Sequence, residues 1–127
     1  GLGDVYKRQI KTEGMGKLTS GMFIVQANGH SMEPRIMDGD FCVFRANIVG
    51  SRIGKIVLVQ HPEHYDFENG GSYSIKKYSS EKKQDPETGE WMHERIILYP
   101  LNPDYQPIEI RNEEGFIVVG EFIGIVK

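Results

Sequence analysis

The segment from Ser31 to Asp40 has residue types and a spacing that suit a nucleophile. It reads Ser-Met-Glu-Pro-Arg-Ile-Met-Asp-Gly-Asp and follows a predicted strand. A serine in a turn rich in Gly and Pro can expose its hydroxyl beside backbone N–H groups, which stabilise the oxyanion formed when serine attacks a carbonyl. The same serine could instead bind the amides of its own turn. The segment alone leaves both roles open.

A serine nucleophile needs a base, because its hydroxyl is protonated at neutral pH. Lysine can serve when apolar surroundings lower its pKa from the ordinary value of about 10.4. The segment 73–78, Tyr-Ser-Ile-Lys-Lys-Tyr, offers two candidates, Lys76 and Lys77. Successive strand residues point to opposite faces, so only one of them can face Ser31. Alternation does not decide which one.

Short strands are predicted to position these residues. The chain is divided by 15 glycines and 6 prolines, and the segments between them are rich in Val, Ile, Phe and Tyr. Such spacing predicts an all-β fold, a small sandwich or partly closed barrel of short, mostly antiparallel strands. We expect Gly120 and Gly124 to break the last strand. The predicted strands are 22–27, 41–45, 55–60, 73–78, 94–99, 107–110 and 116–126.

Length and composition predict a single domain. We expect residues 1–20 to form an N-terminal tail that is truncated or artefactual at residues 1–9, and residues 21–127 to form the domain. The net charge of -3 gives no electrostatic reason to expect nucleic-acid binding. Cys42 is the single cysteine, which favours a reducing, cytoplasmic compartment. No apolar run reaches the roughly 18 residues that a membrane helix needs.

The remaining polar residues have simpler interpretations. His61 and His64 lie in a polar stretch beside a proline and are predicted to be surface residues; no metal site or cofactor is expected. Asp38 and Asp40 are expected to cap their turn, and Cys42 to lie in the core.

The segment from Ser31 to Asp40 resembles the nucleophile segment of the S24 peptidases, the family of the LexA repressor and phage CI-type repressors. More distantly it resembles the signal peptidases. The resemblance extends over residues 22–127 and includes the closing strands at 118–126. It implies that Ser31 is the nucleophile and that Lys76 is the base, since the family's lysine follows an apolar-polar-apolar triplet.

The resemblance also implies which backbone groups and neighbours surround the nucleophile. The amide of Ser31, together with a neighbouring amide, is expected to bind the oxyanion. Gly29, His30 and Met32 are the residues that we expect to line the site or to contribute to this oxyanion hole.

The resemblance further implies a bacterial serine endopeptidase that acts on a peptide in cis or in trans. Its expected role is (auto)proteolytic processing or regulation linked to the DNA-damage (SOS) response or DNA metabolism. No Ala-Gly bond, a typical self-cleavage site of LexA-like members, occurs in the sequence, so self-cleavage of this chain is not expected. The segments 70–78 and 100–105 look closer to S24-like domains appended to bacterial helicase or restriction-type proteins.

Two alternatives stay open. One is a non-catalytic dimerisation or interaction module of the same fold, since repressor domains of this type form homodimers through the sheet. The other is a signal-peptidase-like enzyme that lacks its membrane anchor. For the domain itself we expect no direct nucleic-acid contact and no membrane contact.

Overall fold

Seven β-strands form the regular structure of this protein. The computed structural model describes residues 21–61, 73–82, 84–91, 95–111 and 115–126. None of these residues is helical, so the described part of the chain contains no helix that could cross a membrane. The strands are β1 (Met22–Gln26), β2 (Phe41–Arg45), β3 (Ile56–Gln60), β4 (Tyr73–Glu81), β5 (Arg95–Tyr99), β6 (Ile108–Ile110) and β7 (Ile117–Ile125).

The strands form one sheet in the order β1-β2-β7-β3-β4-β5-β6. Every neighbouring pair is antiparallel. β1 and β6 are the outer strands, and the sheet is not closed into a barrel. The predicted all-β class with short antiparallel strands is therefore confirmed.

Most predicted strand ends agree with the structure to within one residue, and β4 and β7 differ in a larger respect. β4 continues to Glu81, because β5 pairs with it from Lys77 to Glu81 and Arg95 Nη2 donates to Glu81 Oε2 at 2.8 Å. β7 is not broken at Gly120 or Gly124. Near each glycine the register of the pairing with a neighbouring strand shifts instead, once against β2 and once against β3. The strand continues through both irregularities.

The core lies on both faces of the central strand β3. Val57, Leu58 and Val59 are consecutive and all buried, which explains why the sequence there is a continuous apolar run and does not alternate. Leu58 packs in one cluster with residues of β2 and β4, whereas Val57 and Val59 pack in a second cluster with residues of β4, β5 and β6. Each fully buried aliphatic side chain contributes about 1.5–3 kcal/mol.

His61 is buried, so its prediction as a surface residue is wrong. Only 2% of the residue is exposed, and the ring centroids of His61 and Phe116 are 6.0 Å apart. The reason lies in the sheet: Gln60 of β3 pairs with Ile117 of β7, so the next residues outward, His61 and Phe116, are brought together. The expected tail at 1–20 and the prediction for His64 lie outside the described residues.

Cys42 is completely buried in the first cluster, as predicted for a core residue. Burial, and secondly the negative charge of Asp40, raises the pKa of its thiol from 9.0 to about 12. We therefore expect the folded protein not to react with an aromatic disulfide reagent at neutral pH, and to react fully once denatured. Rapid reaction of the folded protein would contradict this burial.

The same thiol makes stability depend on alkaline pH. Because the folded-state pKa is raised, the contribution is fully present below the unfolded value of 9.0 and is lost as the pH rises towards 12. Urea unfolding across this window should show a decline in free energy that is smaller in Cys42→Ala. Equal slopes in the two proteins would show that this thiol does not titrate differently in the two states.

Candidate active site

A buried lysine amine contacts a serine hydroxyl beside the sheet. Lys76 Nζ donates to Ser31 Oγ at 3.0 Å and to Ser74 Oγ at 2.8 Å. The exposed fractions are 3% for Lys76 and 8% for each serine. Ser74 and Lys76 are two residues apart on β4 and so project to the same face. Lys77, the other candidate, is exposed.

The turn that carries Ser31 is anchored to the core by its own apolar residues. Met32 and Ile36 are both buried, and they pack in the cluster that contains Leu58 and Ile75. Within the turn, the Ile36 amide donates to Met32 O at 3.0 Å. Ser31 is therefore attached directly to a buried anchor, which restricts the positions available to its hydroxyl.

Two carboxylates close the turn, as predicted. Asp38 Oδ1 accepts from the Gly29 amide at 2.7 Å, and Asp40 Oδ2 accepts from the Met37 amide at 2.8 Å. Gly29 and Gly39 have φ values of 93° and 87°, in the left-handed region that favours glycine. The two carboxylate acceptors and the two glycines with positive φ together explain the spacing of Gly and Asp around the serine.

A small cleft opens beside the serine. It is lined mainly by small or apolar residues, and its cavity volume is about 10 Å³, enough for about one water-sized group. The lining residues are Ala27, Asn28, Gly29, Ser31, Met32, Ile36 and Ile75.

Of the three residues predicted to surround Ser31, two line the cleft and one does not. Gly29 and Met32 line the cleft, whereas His30 is not among its lining residues. The His30 side chain is 56% exposed, and its Nδ1 lies 2.9 Å from Glu33 Oε2. The Gly29 amide is engaged by Asp38. Among the described residues, no hydrogen-bond acceptor engages the Ser31 amide, which leaves it available to an oxyanion.

The open edge of β4 adjoins this cleft. β5 pairs with β4 only from Lys77 onwards, whereas β3 pairs with it from Tyr73 to Lys77. Among the described strands, the stretch from Tyr73 to Lys76 thus has a neighbour on one side only. Ile75 belongs to this stretch and lines the cleft, so an extended chain lying along the edge would pass Ser31.

Ser74 and Asn102 are among the residues that contact the pair and that sequence reasoning missed. Ser74 accepts a hydrogen bond from Lys76, and the signal for it was its position two residues before the lysine. Asn102 follows β5 and contacts the serine's turn: its amide donates to Ser31 O at 3.0 Å, and its Nδ2 donates to His30 O at 3.0 Å. No local pattern around Asn102 predicts a contact with a residue about 70 positions earlier.

A serine hydroxyl beside a buried lysine amine is the arrangement found in hydrolases that use a Ser–Lys pair. The family model described as Peptidase S24-like matches residues 5–85, which include Ser31, Ser74 and Lys76. The chain belongs to this family, which confirms the membership of the S24 peptidases predicted from the sequence. At the family level, membership supports a serine-peptidase kind of activity. No match was found among curated proteins.

We expect Asp38→Ala to destabilise the protein by about 1–2 kcal/mol, because the Gly29 amide loses a charged acceptor. Urea unfolding measures the change. Glu87→Ala is the matched control, because it also removes one exposed carboxylate but has no part in this turn. Equal stability of the two variants would show that the Asp38 bond does not hold the turn.

Proposed function

We propose that this chain is a serine endopeptidase in which Ser31 is the nucleophile and Lys76 is its base. The observation that carries the proposal is the 3.0 Å contact between the buried Lys76 Nζ and Ser31 Oγ. Burial favours the neutral amine, because an ammonium ion loses hydration when it leaves water. A neutral amine at this distance can accept the hydroxyl proton.

In the proposed reaction, Ser31 Oγ attacks a peptide carbonyl carbon while Lys76 Nζ takes the hydroxyl proton. The carbonyl oxygen becomes an oxyanion, to which the Ser31 amide donates. As the tetrahedral intermediate collapses, Lys76 returns the proton to the leaving amine and the C–N bond breaks. Water then attacks the acyl-serine with Lys76 again as base, which releases the acid and restores the Ser31 hydroxyl. Ser74 Oγ holds the amine in place between steps.

The proposed substrate is a peptide in extended conformation along the open edge of β4. Backbone pairing at an exposed strand edge gives affinity without requiring a particular sequence. The cleft beside Ser31 selects the substrate by the side chain next to the cleaved bond. Its walls include Met32, Ile36 and Ile75, and its small volume accommodates only a small side chain on the acyl side of the cleaved bond.

The wider role that we propose is proteolytic processing or regulation linked to the DNA-damage response or to DNA metabolism in a bacterial cytoplasm. Family membership and the likeness of the serine's segment to that of LexA-type repressors support it. The peptide could be supplied in cis or in trans, and the domain could act as a homodimer.

A fluorophosphonate probe tests the nucleophile and the base. We expect labelling of the wild type at Ser31, no labelling of Ser31→Ala, and loss of labelling in Lys76→Ala at neutral pH with recovery only at high pH. Mass spectrometry of the labelled peptide measures each result. Lys77→Ala is the matched control, since it removes the exposed neighbouring lysine, and it should label like the wild type.

Two results would contradict the proposal. Full labelling of Lys76→Ala at neutral pH would exclude this lysine as the base. A folded wild-type protein that is never labelled would favour the alternative of a non-catalytic dimerisation module, which size-exclusion chromatography would then examine.

A peptide library tests the selection by the cleft. We expect Ala on the acyl side of the cleaved bond to be preferred over Leu by about 10- to 100-fold in kcat/KM, because Leu does not fit between Met32, Ile36 and Ile75. The same replacement several residues downstream is the control and should have little effect. Equal cleavage of the Ala and Leu peptides would show that the cleft does not hold this side chain.

A further inference from the structure

The turn that carries Ser31 is bound by the loop that follows β5. The amides of Leu101 and Asn102 both donate to Ser31 O at 3.0 Å. The side chain of Asn102 adds a third bond, from Nδ2 to His30 O at 3.0 Å. Two consecutive carbonyl groups of the serine's turn are therefore held by one short segment far away in sequence.

This loop also begins beside the strand that carries the lysine. Tyr99, the last residue of β5, pairs with Lys77, the residue next to Lys76. Asn102 lies only three positions after Tyr99. The loop thus links the backbone near Lys76 to the backbone of Ser31. The direct contact between these two residues is made by their side chains.

Asparagine is well suited to this position because its side chain both donates and accepts. Nδ2 donates to His30 O, and Oδ1 accepts from the Asp104 amide at 3.0 Å. Asn102 O in addition accepts from the Tyr105 amide at 3.1 Å. The side chain is therefore fixed at both ends. Aspartate would keep the shape and the acceptor but would lose the donor towards His30.

We propose that Asn102 is a positioning residue that sets the distance between Ser31 Oγ and Lys76 Nζ. This inference rests on the proposed peptidase function. Asn102 does not touch the reacting atoms; it acts through the carbonyl groups of His30 and Ser31. A displacement of about 1 Å at reacting groups can lower a rate by about 100-fold, so a small shift of this turn would be measurable.

The test uses the full chain and the kinetics of Ser31 labelling by a fluorophosphonate probe. In Asn102→Asp and Asn102→Ala we expect the maximal labelling rate to fall by about 10- to 100-fold while the half-saturating probe concentration stays within about twofold. We also expect the pH of half-maximal rate to rise, because a displaced turn admits water to the amine and hydration favours its charged form. Asn47→Ala, at an exposed asparagine outside the site, is the control and should behave like the wild type.

Three outcomes would overturn the inference. If Asn102→Asp is folded and labels like the wild type with the same pH profile, Asn102 does not position the serine, and the proposed function stands without it. If both variants lose probe affinity and thermal stability together with rate, the role of Asn102 is general stability. If the folded wild type is not labelled at any pH, the proposed function fails, and with it any positioning role in the chemistry.

Discussion

The burial of one lysine amine governs the arrangement of this protein. Taking a charged ammonium ion out of water costs on the order of several kcal/mol, so the group must find polar partners or lose its proton. Lys76 is 3% exposed, and two serine hydroxyls lie within 3.0 Å of its Nζ. One partner, Ser74, comes from the same strand. The other, Ser31, comes from a turn 45 residues earlier, so the fold must hold two distant segments together.

Three parts of the chain meet this requirement. β4 carries the amine and is paired with β3, the strand buried on both faces. The turn after β1 carries the hydroxyl and is anchored by Met32 and Ile36 in the core and closed by Asp38. The loop after β5 binds the carbonyl of Ser31. Among the described strands, β5 covers β4 only from Lys77 onwards, so one edge of the first residues of β4 stays unpaired beside the serine.

The contact between Ser31 and Lys76 indicates which residues would carry out the chemistry of this family. The Peptidase S24-like family model covers both residues of the pair, and the cleft beside them is small and mainly apolar. A base, a nucleophile, an amide available to an oxyanion and an open edge for an extended peptide are the parts that peptide-bond hydrolysis needs. Their convergence beside the first residues of β4 is the reason for proposing a peptidase and not only a binding module.

Much of this could be predicted from the sequence. The seven strands follow from the sequence, because apolar runs between Gly and Pro turns are local signals. Ser31 is predicted as a nucleophile from its turn together with the family resemblance. Local patterns could not say which strand face another segment covers. Alternation alone therefore does not choose between Lys76 and Lys77. The prediction of His61 as a surface residue is wrong because the pairing of β3 with β7 brings it against Phe116. Asn102 also depends on such a long-range contact. The sequence by itself determined the strands and the turn that carries the candidate nucleophile, because these follow from neighbouring residues. Only the tertiary structure decided the partners of each side chain, because those come from segments far apart in the chain.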